Sequence, residues 1–303
     1  MSRKAVIVDT DPALGVPRRD VDDGLALLML LAAPDLDLRG VTITFGNVAA
    51  PVGFAQARDL LSRAHASPPV FAGARSRHDR GKRTAAAEFL VETVRASPGE
   101  ISLLAIGPLT NVATAIELDP AFTSQLRELV IMGGALDFGL ISFFGEFNFK
   151  CDAVSAARVL AAPVAKTLIT TDVISHAVFR QAQLEQLRRR GSPMTRYLVP
   201  ELAAWLRINR LLFPRSGGFY PWDPVAVAYV TNPELFDENP YRLDLTTTGL
   251  RAGRIRKAER LASFEPVAGG VPINVPLQLD GDAFLHRLMD ALLSFGEREG
   301  PVR

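Results

Sequence analysis

Residues 4–11 read KAVIVDTD, and residues 20–33 read DVDDGLALLMLLAA. The first is a short β-branched apolar run ending in carboxylates, the pattern of a strand buried on both faces. The second opens with acids and continues as an apolar stretch up to Pro34. That is a helix with an acidic first turn, where the positive end of the peptide dipoles favours negative charge. A buried strand that feeds a helix through a polar turn is the start of a parallel α/β sheet.

The same alternation continues along the chain. Strands are predicted at residues 38–45 (LRGVTITF), 101–106, 128–132 (ELVIM) and 165–170 (AKTLIT), with helices at 51–64 and 110–118. Residues 179–213 read as helical and include the arginine run 188–190, expected to be a solvated helix end. Each strand ends in polar or glycine-rich residues: DTD, GN, GPLTN, GGA and TD. In an open parallel sheet the ligand lies beyond the carboxyl ends of the strands, so these five termini should converge on one site. No repeat, low-complexity tract or linker interrupts the 303 residues. The expected fold is therefore a single α/β domain over residues 1–303, Rossmann-like, with a mostly parallel central sheet and helices on both faces.

Composition narrows the function classes. Hydrophobic residues make up 48% and charged residues 22%, as in a soluble globular protein with a sizeable core. Lys+Arg 34 against Asp+Glu 33 leaves +1, too little bulk field to hold nucleic acid or an anionic membrane. Cys151 is the only cysteine, so an internal disulfide or a cysteine-based zinc site is excluded and the cytoplasm is the expected compartment. The apolar run at the N-terminus, residues 5–8, is too short for a signal peptide. Residues 25–33 span about half of the roughly 20 residues needed to cross a bilayer.

Asp9, Asp11, Asp20, Asp22 and Asp23 place five carboxylates within fifteen residues, at a strand end and a helix start. Capping the helix accounts for Asp20 but not for the other four together. Like charges held that close require a cation or a proton. Oxygen donors without histidine or cysteine point to Ca²⁺ or Mg²⁺. Two enzyme classes share this beginning. One is the haloacid-dehalogenase-type phosphatase, with Asp9 as nucleophile and Asp11 as acid/base; that class places Gly and Thr soon after its second Asp, where this chain has Pro12-Ala13-Leu14.

The other class is carried by motifs further along. DTDP…DDGLAL, TITFGNV, IGPLTNVATAI, LVIMGGA, GEFNFKCDAVSA and PWDPVAVAYVTNP occur in that order over nearly the whole chain. Together they resemble the inosine-uridine-preferring nucleoside hydrolase family, whose N-terminal motif is DTDPGxDDAxAL. The resemblance implies hydrolysis of the N-glycosidic bond of a ribonucleoside, with Ca²⁺ as cofactor and a homodimer or homotetramer as the assembly. It implies Asp22 as general base. It implies Ca²⁺ ligation by Asp11, Asp23 and Asp223 and by the backbone carbonyl of Ile106. Asn47, Glu146 and Asn148 would hydrogen-bond the sugar, Met132 and Phe147 would pack around it, and Trp222 would stack on the base. The chemistry fits: breaking this bond leaves oxocarbenium-like positive charge on the sugar, which carboxylates stabilise.

Four departures from the family pattern bear on specificity. Ten residues separate Asp11 from Asp22 where the family has about three, and the inserted loop 13–21 carries Arg18 and Arg19. This loop is either a solvated bulge or a means of presenting arginine to an anionic substrate group. Trp222 stands where many members carry a histidine before the late aspartate; it stacks but cannot donate a titratable proton. Leu140 replaces an asparagine that helps hold the 5′-hydroxyl, with Ile141, Phe143 and Phe144 beside it, which suggests a substrate without a free 5′-hydroxyl, such as a 5′-deoxy or 5′-alkylthio nucleoside, while Trp222 resembles the tryptophan of purine-preferring members. Residues 71–84 match the family's corresponding loop only loosely, and His78 reads as a surface residue. These losses also motivate a second reading, a degenerate member that binds a ribosyl ligand without turning it over.

Overall fold

The computed structural model describes residues 3–136, 145–255, 258–266 and 272–296. Among the described residues, nine strands form one sheet. They are β1 (Lys4–Thr10), β2 (Leu36–Ile43), β3 (Val70–Ala72), β4 (Ile101–Ala105), β5 (Glu128–Met132), β6 (Lys166–Ile169), β7 (Pro240–Leu243), β8 (Ala258–Arg260) and β9 (Ile273–Asn274). Their order is β3-β2-β1-β4-β5-β6-β9-β7-β8. The pairs from β3 to β9 are parallel, and β7 adds an antiparallel edge to which β8 pairs antiparallel. The order reverses at β1/β4, the switch point at which such sheets open a crevice. Register keeps the strand ends level: Thr10 pairs with Ile43, Asp9 with Ala105, and Ala105 with Ile131.

Helices cover both faces. On one lie α1 (Asp22–Ala32) and α2 (Ala50–Arg63). On the other lie α3 (Ala85–Ala96) and α4 (Thr110–Leu118). Next come α5 (Phe147–Cys151), α6 (Ala153–Ala161) and α7 (Thr171–Ile174). α8 (Gln181–Arg190), α9 (Pro193–Leu212) and α10 (Trp222–Thr231) follow, then α11 (Thr247–Leu250) and α12 (Gly281–Ser294). Val6 and Val8 of β1 join the core on the α1 side, while Ala5 and Ile7 join the opposite one, as the two-residue strand period requires. α1 is apolar around most of its circumference because it is wedged between the sheet, α10 and α12.

The structure refines several predicted spans. The helical reading of 179–213 resolves into α8 and α9: Gly191 adopts φ +65°, and the Ser192 side chain caps α9 by accepting from Thr195 N at 3.2 Å. The arginine run closes α8, where Arg188 meets Glu185 at 2.6 Å on the exposed surface. The strand expected at 38–45 sits two residues earlier, at Leu36–Ile43; Phe45 instead bonds through its backbone N–H to the Ala74 carbonyl at 3.0 Å. Among the described residues, no helix is long and apolar enough to cross a membrane.

Candidate active site

The first two strand ends and the start of α1 bury a set of aspartates. Asp9 Oδ1 accepts from Thr42 Oγ1 at 2.6 Å and from Asn111 Nδ2 at 2.8 Å. Asp11 Oδ2 accepts from the Asn47 backbone N–H at 2.6 Å. Asp23 Oδ1 accepts from Asp11 N at 3.1 Å and from the Thr10 hydroxyl, and its Oδ2 accepts from Asn47 Nδ2 at 3.0 Å. Asp223, in the first turn of α10, arrives from the far end of the chain. Asp22, Asp23 and Asp223 each offer a carboxylate oxygen, all within 4.8 Å of one another.

Glycine makes this enclosure possible. A Cβ at Gly46 would overlap the Asp11 carboxylate, and one at Gly107 would come within 2.7 Å of Asp11 Oδ1. The two turns after β2 and β4 therefore close on Asp11 as bare backbone.

The energetics of the cluster are unfavourable without a counter-charge. Burial pushes the Asp9 carboxyl up to about 7, against its hydrogen bonds from Asn111 and Thr42. Asp23 is pushed up to about 6, again mainly by burial. Asp11, Asp22 and Asp223 lie well above the usual carboxylate range, first from burial and then from repulsion by neighbouring aspartates. Asp9 Oδ2 and Asp11 Oδ1 are buried with no hydrogen-bond partner among the described residues. An all-oxygen donor set with orphaned lone pairs fits a hard divalent cation.

Above the aspartates opens a cavity of about 390 Å³. Asp22 and Asp223 form part of its floor, together with Asn47, Ile106 and Met132 from the strand ends. Glu146, Phe147 and Asn148 line a further part of it, and so does Trp222. Asp11 and Asp23 do not line the cavity and are about 1% exposed. The residues assigned from the sequence to the ion, the base and the substrate thus gather at one place, the carboxyl end of the sheet.

Their hydrogen bonds add detail. Asn148 Nδ2 donates to the Ile106 carbonyl at 2.8 Å, tying β4 to α5. Glu146 caps α5: its carboxylate accepts from Asn148 N at 2.6 Å, Phe149 N at 2.9 Å and Gly134 N at 2.9 Å. Three backbone donors hold it in place while leaving it acceptor capacity toward the cavity. Phe147 is 48% exposed at the mouth, and the Trp222 ring packs 5.1 Å from that of Tyr220.

Sequence reasoning missed several lining residues. Thr171 follows β6, one of the polar strand ends already noted. Asp20, which accepts from Val21 N at 2.7 Å and so performs the expected capping, also faces the cavity. Trp205, Asn209, Leu212 and Phe213 come from the end of α9. Their three-to-four-residue spacing was the available signal for a shared helix face. Arg18 and Arg19 of the inserted loop are exposed and do not line the cavity; Arg18 adopts φ +64°. His78 lies on the surface, away from this cavity. Leu140, Ile141, Phe143 and Phe144 lie outside the described residues.

Comparison with known proteins points the same way. The chain is 28% identical to the probable uridine nucleosidase 1 of Oryza sativa subsp. japonica, over 92% of this chain and 93% of that one. It is 26% identical to the pyrimidine-specific ribonucleoside hydrolase RihB of Escherichia coli O1:K1 / APEC, over 77% of this chain and 80% of that one. Its fold superposes on the plant nucleoside hydrolase PpNRh1 with a TM-score of 0.83 at 24% identity, covering 96% of this chain and 99% of that chain. The purine-preferring ribonucleoside hydrolase from Gardnerella vaginalis gives 0.82 at 22% identity, covering 97% and 99%. The model of the inosine-uridine preferring nucleoside hydrolases matches residues 6–286, and the chain belongs to that family.

Proposed function

We propose that this protein is a calcium-dependent enzyme that hydrolyses the N-glycosidic bond of a ribonucleoside, releasing ribose and the free base. The observation that carries the reading is the buried, uncompensated aspartate set under a cavity of about 390 Å³ that is polar at its floor and aromatic at its mouth. Asp11, Asp23 and Asp223, with the Ile106 carbonyl, would hold Ca²⁺. When bound, that ion supplies the balancing positive charge and coordination positions for the ribose 2′- and 3′-hydroxyls.

The chain's own residues do the rest. Asp22, on the floor, takes a proton from the attacking water; burial and the neighbouring aspartates raise its proton affinity above the usual carboxylate range. Its carboxylate and those of its neighbours stabilise the positive charge that develops at C1′. Asn47, Glu146 and Asn148 orient the sugar hydroxyls, and Met132 packs beside them. Trp222, joined by Trp205 and Phe213 at the same mouth, presents aromatic surface to the departing base, which favours a purine. Sequence composition supports a cytoplasmic protein, and the family resemblance supports a homodimer or homotetramer.

The test is to incubate the protein with a panel of purine, pyrimidine and 5′-deoxy nucleosides, with calcium or with chelator, and to assay free ribose. Calcium-dependent release from at least one nucleoside is expected. Binding of ribose without release from any nucleoside would identify a ligand-binding protein instead.

A further inference from the structure

A second cavity, of about 360 Å³, lies at the other end of α5. Phe147 and Asn148 of this helix line the aspartate-floored cavity, whereas Lys150 and Cys151 line the second one. Its walls carry Arg77, His78, Arg80, Lys150 and Arg251, drawn from three separate segments of the chain. The carboxylate among its lining residues is Asp152.

Asp152 neutralises Arg80 but not the rest of this wall. It is 3% exposed, and its oxygens accept from Arg80 at 2.8 Å, Thr110 Oγ1 at 2.8 Å and Ser155 N at 3.0 Å. Among the described residues, Arg77 and Arg251 have no ion-pair partner. Elsewhere on the surface, Arg63, Arg95, Arg158 and Arg188 each meet a carboxylate within 2.8 Å. A chain with a formal net charge of +1 thus concentrates surplus positive charge in one concavity.

We propose that this cavity is a binding site for a small phosphate-bearing anion, separate from the reaction centre. A cleft lined by one sign of charge focuses its field on the space it encloses. Guanidinium groups present paired N–H donors that match phosphate oxygens, and a lysine adds a point charge. The volume admits more than a bare phosphate, so the ligand is either inorganic phosphate or the phosphate of a nucleotide. Both share the chemistry that the wall recognises.

Calorimetric titration of the intact protein with inorganic phosphate, and separately with adenosine 5′-monophosphate, tests the site. Both titrations are done at low salt and with ribose saturating the first cavity. Saturable binding is expected, weakened at least about tenfold in an Arg77→Ala/Arg251→Ala double variant. Both positions are exposed, so the fold should survive; an unchanged circular dichroism spectrum and an unchanged thermal unfolding midpoint check this. Much tighter binding of the nucleotide identifies it as the ligand, while equal affinities identify free phosphate; either result supports the site. Absence of saturable binding, full affinity in the double variant, or competition by ribose would overturn it. Failure of the nucleoside assay above would leave this result unaffected, because the readout is binding alone.

Discussion

Two sets of buried carboxylates in this molecule are treated in opposite ways. Asp152, at the junction of α5 and α6, is met by an arginine, a threonine hydroxyl and a backbone amide. The aspartates at the ends of β1 and the starts of α1 and α10 are equally buried, yet among the described residues no lysine or arginine forms an ion pair with them, and two of their oxygens have no partner. The chain can neutralise a buried acid from its own side chains when the acid serves packing. Where it leaves several unneutralised side by side, the missing charge must come from outside. Leaving buried charges uncompensated costs far more than random drift would retain.

The largest effect that would sharpen this contrast is chemical. Asp22→Asn keeps the shape of the floor but removes the proposed base, and kcat should fall on the order of 10²–10⁴-fold. Ribose-release kinetics check it, with calcium affinity measured alongside to show that the cation still binds. Asp223→Ala attacks the cation instead: calcium binding read by calorimetry should weaken by at least about tenfold, and activity should return only at high calcium. An Asp223→Ala protein with unaltered calcium affinity would break the comparison outright.

A third test uses pH. In chelator, the folded-state proton affinities are raised, to about 7 for Asp9 and about 6 for Asp23, against an unfolded value of about 3.9. Groups raised in this way stabilise the fold below pH 4, and that contribution is lost as pH climbs through 7. The metal-free Tm should therefore fall over this window. The increase in Tm on adding calcium should be small at pH 4 and largest near pH 7, because the cation replaces the protons. The smallest effect belongs to the other carboxylate. Asp152→Ala removes the cap of α6 and the partner of a partly exposed arginine, costing about 1–2 kcal/mol in denaturant unfolding, with calcium affinity unchanged.

Legibility in the sequence followed locality. β5 and α4 match their predicted bounds because their periodicity is uninterrupted and their neighbours break it sharply. β7, β8 and β9 were not predicted: runs of two to four residues gain their identity from distant pairing partners, such as Pro240 with Asn274 and Lys166 with Ile273, and not from their own pattern. The site divides in the same way. The aspartates after β1 could be read because five acids in fifteen residues have no ordinary explanation. Trp205 and Asn209 could not, since an aromatic and an amide on a helix face look like any partly buried surface until the fold shows what they face. Asp223 was found only through the order of motifs, because nothing near it in sequence announces a partner two hundred residues away.

Gly46 and Gly107 carry a consequence for how this centre can vary. Neither touches a ligand through a side chain, yet a methyl group at Gly46 would occupy the place of the Asp11 carboxylate, and one at Gly107 would press on it. Gly46→Ala should therefore disable cation binding as surely as removing an aspartate, by evicting the donor and leaving its chemistry intact. The capacity to hold a metal is encoded here partly by atoms that are missing, and an inventory of acidic side chains alone would overlook half of what preserves it.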